Sequence, residues 1–195
     1  MSRDVAAIIL AGGEGRRIGG AKPLRHFRGE RLIDRAVRQA GHWSDAVAVA
    51  VRDSAQVRPI DARIIVDQPN VMGPLGGLVS ALSFAAEQSH HHVLTIPADM
   101  PFLPRDLLTR LDSEIGQSGC AIASSGGHLH PVCGLWRTAA LDQVSGYLAG
   151  GQRSLRGFAA QIGMREVEWE SAPLDPFFNI NSAEELAEAE QRAEA

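Results

Sequence analysis

A chain of 195 residues with 45% hydrophobic and 22% charged residues suits one domain with a substantial core, with room for two small ones at most. Its net charge of −4 gives no general attraction to nucleic acid or to an anionic membrane, so any anion must be held by a local group of basic residues. No stretch approaches the roughly 18 apolar residues of a membrane span, and no charged start, apolar run and cleavage site mark a leader, so a cytoplasmic location is expected.

The first predicted element is the apolar run from Val5 to Leu10, read as a buried strand. Leu32, Ile33, Ala36, Val37 and Ala40 recur at helical spacing. Ala46 to Val51 and Arg63 to Val66 read as the next strands, and Leu75 to Glu87 as a helix with Leu78, Leu82 and Ala85-Ala86 inward. A strand from Val93 to Ile96 ends at Pro97. A helix is predicted from Pro104 to Ile115, since proline in the first turn lacks only an N–H that has no partner there. Cys120 to Ala123 and Val132 to Trp136 are predicted strands, and Thr138 to Leu148 and Ser154 to Ile162 predicted helices. A last helix should run from Ser182 to Ala195, with Ser182 and Glu185 spaced as a capping box. Strands alternating with helices imply an α/β fold: one Rossmann-like domain over 1–195, with a mostly parallel sheet and helices on both faces. Ligands then bind beyond the carboxyl ends of the strands. The loops after Leu10, Val66 and Ile96 are therefore where function is sought.

The first of these loops reads LAGGEGRRIGGAKPL, Leu10 to Leu24. Gly12, Gly13, Gly15, Gly19 and Gly20 let backbone N–H groups approach an anion without obstruction. Arg16, Arg17 and Lys22 add positive charge suited to phosphate oxygens. Ile18 breaks the dinucleotide pattern G-x-G-x-x-G. Lys22 and Pro23 fall out of register with G-x-x-x-x-G-K-[ST]. A plain strand–helix connection with solvated basic residues also fits the loop taken alone.

Asp67 follows the third strand and leads through Gly73-Pro74 into a helix, which alone also fits an ordinary turn. Asp99 sits between prolines after the fourth strand. Magnesium bound to phosphates needs only one or two protein carboxylates, and Asp99 is placed for that. Capping the following helix is its other reading, although Asp106 is the better candidate for that dipole. His128 and His130 are two apart and share a face if extended. No third metal ligand lies near them, and His90, His91 and His92 read as a solvated turn. Asn179 and Asn181 also share a face on an extended stretch, where amides hydrogen-bond without adding charge. Cys120 and Cys133 lack metal-ligand spacing and read as reduced, partly buried thiols.

Taken together these segments resemble the molybdenum cofactor guanylyltransferase (MobA) family of nucleotidyltransferases. The opening loop is similar to its L-A-G-G-x-x-x-R-M-G-G-x-D-K signature, with Ile18 for Met and Ala21 for the aspartate before the lysine. VDQPNVMGPLGGL, IPADMP, HP at His130 and FNINSAEEL resemble further family segments, in matching order from Val5 to about Leu186. The resemblance implies that GMP passes from GTP to molybdopterin-bound molybdenum with release of pyrophosphate, with Mg²⁺ as cofactor. It implies a nucleotide site of Leu10, Ala11, Gly12, Gly13, Gly15, Arg17, Lys22, Asp67, Gly76 and Asp99. Within it Arg17, Lys22 and Asp99 would be catalytic, and Asp99 would bind the metal. His130, Asn179 and Asn181 would face the acceptor, so the N-terminal part serves GTP and the C-terminal part the acceptor. Apo-molybdoenzymes or other cofactor-biosynthesis proteins are the partners it suggests, since a labile cofactor is best handed over directly. Two other readings remain at this point. One is a cytidylyltransferase of the same superfamily acting on molybdenum cofactor or another phosphorylated metabolite, because the stretch Val47 to Asp53 keeps the family's arginine as Arg52 but lacks the asparagines many members carry near guanine. The other is a non-catalytic adaptor that delivers the cofactor, although such an adaptor would need neither Lys22 nor Asp99.

Overall fold

The computed structural model describes residues 4–12, 22–71 and 73–192, with the Lys22 side chain outside the description. The strands in chain order are β1 (Val5–Leu10), β2 (His26–Phe27), β3 (Glu30–Arg31), β4 (Ala46–Val51), β5 (Arg63–Val66), β6 (His92–Pro97), β7 (Cys120–Ser125), β8 (His128–Arg137) and β9 (Met164–Trp169). The helices are α1 (Leu32–Ala40), α2 (Pro74–Glu87), α3 (Leu107–Ile115), α4 (Leu141–Ala149), α5 (Leu155–Gln161) and α6 (Ala183–Arg192). Seven strands form one sheet in the order β5-β4-β1-β6-β8-β7-β9, while β2 and β3 pair as a small antiparallel ribbon. The pairs of β1 with β4 and β6, β4 with β5, and β7 with β9 are parallel. Among the described residues β8 alone runs against the rest, antiparallel to both β6 and β7. It is reached from β7 by the two-residue turn Gly126-Gly127, both at positive φ (53° and 75°), as tight hairpins require.

Both faces of this sheet are covered, which explains why β1 and β4 are continuous apolar runs rather than alternating ones. Ala7 and Ile9 of β1 pack with Val49, Leu94 and Ala123 under α1 and α3, through Ile33, Ala36, Leu107 and Leu111. Ala6 and Ile8 turn the other way, towards α2, α4 and α5, with Ala48, Val93, Ile122 and Trp136. Every residue of α2 from Leu75 to Leu82 is buried, as expected for a helix apolar on all sides; Ala85 is buried further on, but Ala86, expected inward, is exposed in the last turn. A third cluster, Phe27, Leu32, Ile180 and Ala189, docks the ribbon and α6 beside the main core. No helix among the described residues is long and apolar enough to cross a membrane.

The single α/β domain with its mostly parallel sheet is the architecture the sequence predicts, and the departures lie at particular elements. β9 is an additional edge strand, and the β2–β3 ribbon is additional too. β7 and β8 are longer than predicted, because the Gly126-Gly127 turn joins them into a hairpin. The helix expected from Pro104 begins at Leu107, with Asp106 at its N-cap position. Asp106 does not cap: its Oδ1 accepts the Trp169 indole N–H at 3.1 Å. The segment from Thr138 starts as a 3₁₀ turn (Thr138–Ala140) before α4. At α6, Glu185 N–H donates to Ser182 Oγ at 3.1 Å, but the Glu185 carboxylate reaches back to the N–H of Asn181 rather than of Ser182. The capping box is thus displaced by one residue.

Candidate active site

The carboxyl ends of β1, β5 and β6 meet at one edge of the sheet. Ala11 N–H donates to Ala50 O at 2.8 Å and extends the β1–β4 ladder past Leu10, so the chain leaves the sheet at Gly12. A Cβ on Gly12 would collide with Asp67 Oδ2 and stand 3.5 Å from Arg52 Cγ, so a larger residue there would displace the carboxylate. Asp67 is fixed by its own N–H, which donates to Val51 O at 2.8 Å. Gly77 closes on it from α2, where a Cβ would lie 3.4 Å from Asp67 Oδ1. The Asp67 carboxylate is therefore wedged between two glycines. Its Oδ1 is buried and accepts no hydrogen bond among the described residues.

Burial pushes the Asp67 carboxyl above its ordinary value of 3.8, and Arg52 opposes this only in part. A carboxyl raised on folding contributes stability below its unfolded value and loses it as pH rises through the folded one. Above that window the ionised, desolvated group is a cost to the fold. Asp67→Asn, uncharged throughout, is accordingly expected to melt at a higher temperature than the parent at pH 7.5. The gain should shrink as the pH is lowered towards about 4. Thermal melts of both proteins across that range check it, and an Asp67→Asn variant that is less stable than the parent at pH 7.5 contradicts it.

Gly76 lies one position before Gly77 and has a different reason to lack a side chain. Its Cβ would meet Val71 O at 2.5 Å, because the 68–71 loop folds back over the first turn of α2. Ser80 Oγ donates to Val66 O at 2.9 Å and ties the same helix to β5.

Asp99 follows Pro97, the last residue of β6, whose partner in the ladder is Leu10. Asp99 Oδ1 is buried, and its backbone carbonyl accepts the Ile180 N–H at 2.9 Å. That bond brings the Asn179–Asn181 stretch to the end of β6. Ile180 is fully buried, while Asn179 is half-buried and Asn181 exposed, with Asn181 Nδ2 donating to Asn179 O at 3.5 Å. The Asp99 charge also reaches β8: together with burial it pushes the Cys133 thiol well above its usual range.

His130 enters from the start of β8. Its ring stacks on Phe177 with centroids 4.8 Å apart and planes at 16°. Its Nε2 lies 2.8 Å from Ser125 Oγ, which donates to Asp175 Oδ1 at 2.9 Å. Phe177 in turn meets Trp169 edge-on at 5.4 Å. Burial holds the His130 ring below its ordinary pKa, with His128 acting the same way and Asp175 against them.

Leu10, Ala11, Gly12, Asp67, Gly76 and Asp99 thus gather at one edge of the sheet, with His130, Asn179 and Asn181 on its β8 side. Gly13, Gly15 and Arg17 lie outside the described residues, as does the side chain of Lys22, whose backbone opens the 3₁₀ turn Lys22–Leu24. Ser125, Asp175, Phe177 and Trp169 are site neighbours that sequence reasoning missed. The Gly-Gly turn after Ser125 was the one local signal that could have drawn attention there.

Elsewhere the histidine triplet is only partly the solvated turn expected. His91 Nδ1 lies 2.6 Å from Asp4 Oδ1, and His92 is already half-buried in β6. Cys120 and Cys133 are fully rather than partly buried, and burial pushes the Cys120 thiol up to about 12. Among the described residues no three metal-ligating side chains cluster. An oxygen-binding ion seated here would rely on Asp99 and on ligand oxygens, a donor set that fits magnesium.

Residues 7–166 match the MobA-like NTP transferase domain. The chain is 36% identical to a molybdenum cofactor guanylyltransferase of Bradyrhizobium sp. (strain ORS 278), covering 97% of this chain and 93% of that one. It is 38% identical to another protein of that name from Acidiphilium cryptum (strain JF-5), over 94% and 93% of the two chains. The fold is similar to that of molybdopterin-guanine dinucleotide biosynthesis protein A from Archaeoglobus fulgidus, with a TM-score of 0.78 at 23% identity over 97% and 98% of the chains. It is also similar to 2-C-methyl-D-erythritol 4-phosphate cytidylyltransferase from Thermus thermophilus, with a TM-score of 0.70 at 19% identity over 98% and 100%.

Proposed function

The chain belongs to the MobA-like NTP transferase family, and from that premise we propose that it is a molybdenum cofactor guanylyltransferase. It transfers GMP from GTP to the terminal phosphate of the molybdopterin that carries molybdenum and releases pyrophosphate. The observation that carries this reading is the match to guanylyltransferases along nearly the whole chain, at 36% identity over 97% of it. The cytidylyltransferase likeness, at 19% identity, concerns the fold alone.

In this reaction an acceptor phosphate oxygen attacks the α-phosphorus of GTP. The new P–O bond forms as the bond from the α-phosphorus to the α,β-bridging oxygen breaks, and pyrophosphate departs with that electron pair. No covalent enzyme intermediate is needed, so the protein contributes position and charge. Leu10, Ala11, Gly12, Gly13 and Gly15 admit the triphosphate to the backbone, with Arg17 and Lys22 offsetting charge on the leaving group. Asp67 and Gly76 border the nucleoside. Asp99 would supply a hard oxygen ligand for Mg²⁺, and the ion would offset the charge of the phosphates. His130, Asn179 and Asn181 form the acceptor wall.

The test is a transfer assay with Mg²⁺, molybdenum cofactor and each of GTP, CTP, ATP and UTP, with products identified by mass. A guanine dinucleotide formed with GTP alone is expected. A cytosine dinucleotide overturns the base assignment, and no product from folded, GTP-binding protein overturns the transferase reading in favour of an adaptor.

A further inference from the structure

Ser125 stands between two partners and has one proton to give. Its Oγ lies 2.9 Å from Asp175 Oδ1 and 2.8 Å from His130 Nε2. A carboxylate oxygen can only accept. The same Asp175 Oδ1 takes the Phe177 N–H at 2.9 Å, so two donors converge on it and hold it in place. The Ser125 proton therefore points at Asp175, and a hydroxyl lone pair faces the histidine. Nε2 must then carry the ring proton, because two lone pairs at 2.8 Å would repel. In a neutral imidazole this leaves Nδ1 bare, as an acceptor.

Three further observations make this arrangement more than an incidental contact. No described residue hydrogen-bonds Nδ1. The ring lies flat on Phe177, which Trp169 holds edge-on, so it cannot tilt without giving up the stack, nor turn over in its plane without giving up the Ser125 contact. The groups facing the ring, with His128 and burial on one side and Asp175 on the other, leave it less basic than an ordinary histidine. A neutral ring with a bare nitrogen is a poor partner for a dianionic phosphate, whose oxygens are acceptors as well. It suits an N–H donor.

Resting on the acceptor assignment above, we infer that Asp175 and Ser125 are positioning residues that keep His130 Nδ1 free of its proton, so that it accepts a hydrogen bond from an N–H of the acceptor's heterocycle. Neither residue touches the reacting phosphates. Both act through the imidazole, and they set which face of the acceptor the wall can read.

The tautomer can be read directly from the ¹⁵N shifts of the histidine ring, in the full chain at pH 8 and without substrates. His130 should show a protonated Nε2 and an unprotonated Nδ1. In Asp175→Ala the serine proton is released to the ring, and the Nδ1–H form should rise severalfold. Adding Ser125→Ala to that variant removes the misdirecting hydroxyl and should return the ring to the Nε2–H form. A merely structural aspartate would not be rescued by a second deletion. In the transfer assay Asp175→Ala should raise KM for the acceptor about tenfold, with KM for GTP unchanged. Ser125→Ala alone leaves no hydroxyl to misdirect the proton, so its ring should stay mainly in the Nε2–H form and its acceptor KM should rise less than in Asp175→Ala, through lost orientation of the ring only; it serves if Asp175→Ala folds poorly, because a ring protonated mainly on Nδ1 in this variant overturns the inference.

A wild-type His130 protonated on Nδ1, or a ring whose tautomer ignores Asp175, overturns the inference. So does an altered tautomer with an unchanged acceptor KM. Failure of the transfer reading itself is separable, because the wild-type protein would then make no dinucleotide whatever its ring tautomer.

Discussion

Asp99→Asn is expected to lower guanylyl transfer by on the order of 10²-fold or more while the melting temperature stays within a few degrees of the parent. The substitution keeps the size of the side chain and removes one charge. The tie between β6 and the Asn179–Asn181 stretch should survive, because Ile180 donates to the Asp99 backbone carbonyl and not to its carboxylate. The β6 ladder is also untouched, since its last bonded partner is Pro97. The loss should therefore appear in turnover rather than in folding. Asp99→Ala should behave alike. Single-turnover rates at saturating GTP, measured beside thermal melts, check this. Full activity in the Asp99→Asn variant removes Asp99 from the metal role.

Phe177→Ala should carry a large cost to the fold, about 3–5 kcal/mol by urea denaturation. Phe177 is 2% exposed and fills the space between the His130 ring and Trp169. Deleting the ring leaves a cavity that the surrounding strand ends cannot collapse into, because β7, β8 and β9 are hydrogen-bonded to one another. Against a total stability of about 5–15 kcal/mol this is a large fraction. Phe177→Leu separates packing from stacking: most of the stability should return, while the flat support under His130 does not. If Phe177→Ala costs less than about 1 kcal/mol, the ring is not part of the core and the acceptor wall is not held as described.

The parts of the molecule legible in the sequence are those with an unbroken apolar run or a clear helical period. Val5–Leu10, Ala46–Val51 and Arg63–Val66 are strands with the limits their residues predict, and Leu32–Ala40 is a helix from the first apolar residue of its pattern to the last. β9 was hidden because it lies at the edge of the sheet. Its Arg165, Glu166 and Glu168 face solvent and only Val167 and Trp169 are buried, which leaves a periodicity too short to recognise. The residues we assign to the nucleotide announce themselves through glycines and an aspartate directly after strands. Ser125 and Asp175 do not. They are 50 positions apart, each is an ordinary polar residue in its own segment, and only the parallel pairing of β7 with β9 brings the segment after Trp169 back to the end of β7. Their role is a property of three-dimensional contact, with no local pattern to reveal it.

The reversed strand β8 has a consequence for how such a molecule can diversify. Because β8 runs backwards, it brings its beginning, not its end, to the edge where ligands bind, and the turn Gly126-Gly127 projects there beside His130. A hairpin tip is a place where residues can be inserted or lost without disturbing the strands that carry it. The nucleotide half has no such freedom, since Gly12, Asp67 and Gly77 are locked against one another. On the proposed assignment, lengthening this one exposed turn would reshape the acceptor side while leaving the contacts among Gly12, Asp67 and Gly77 undisturbed.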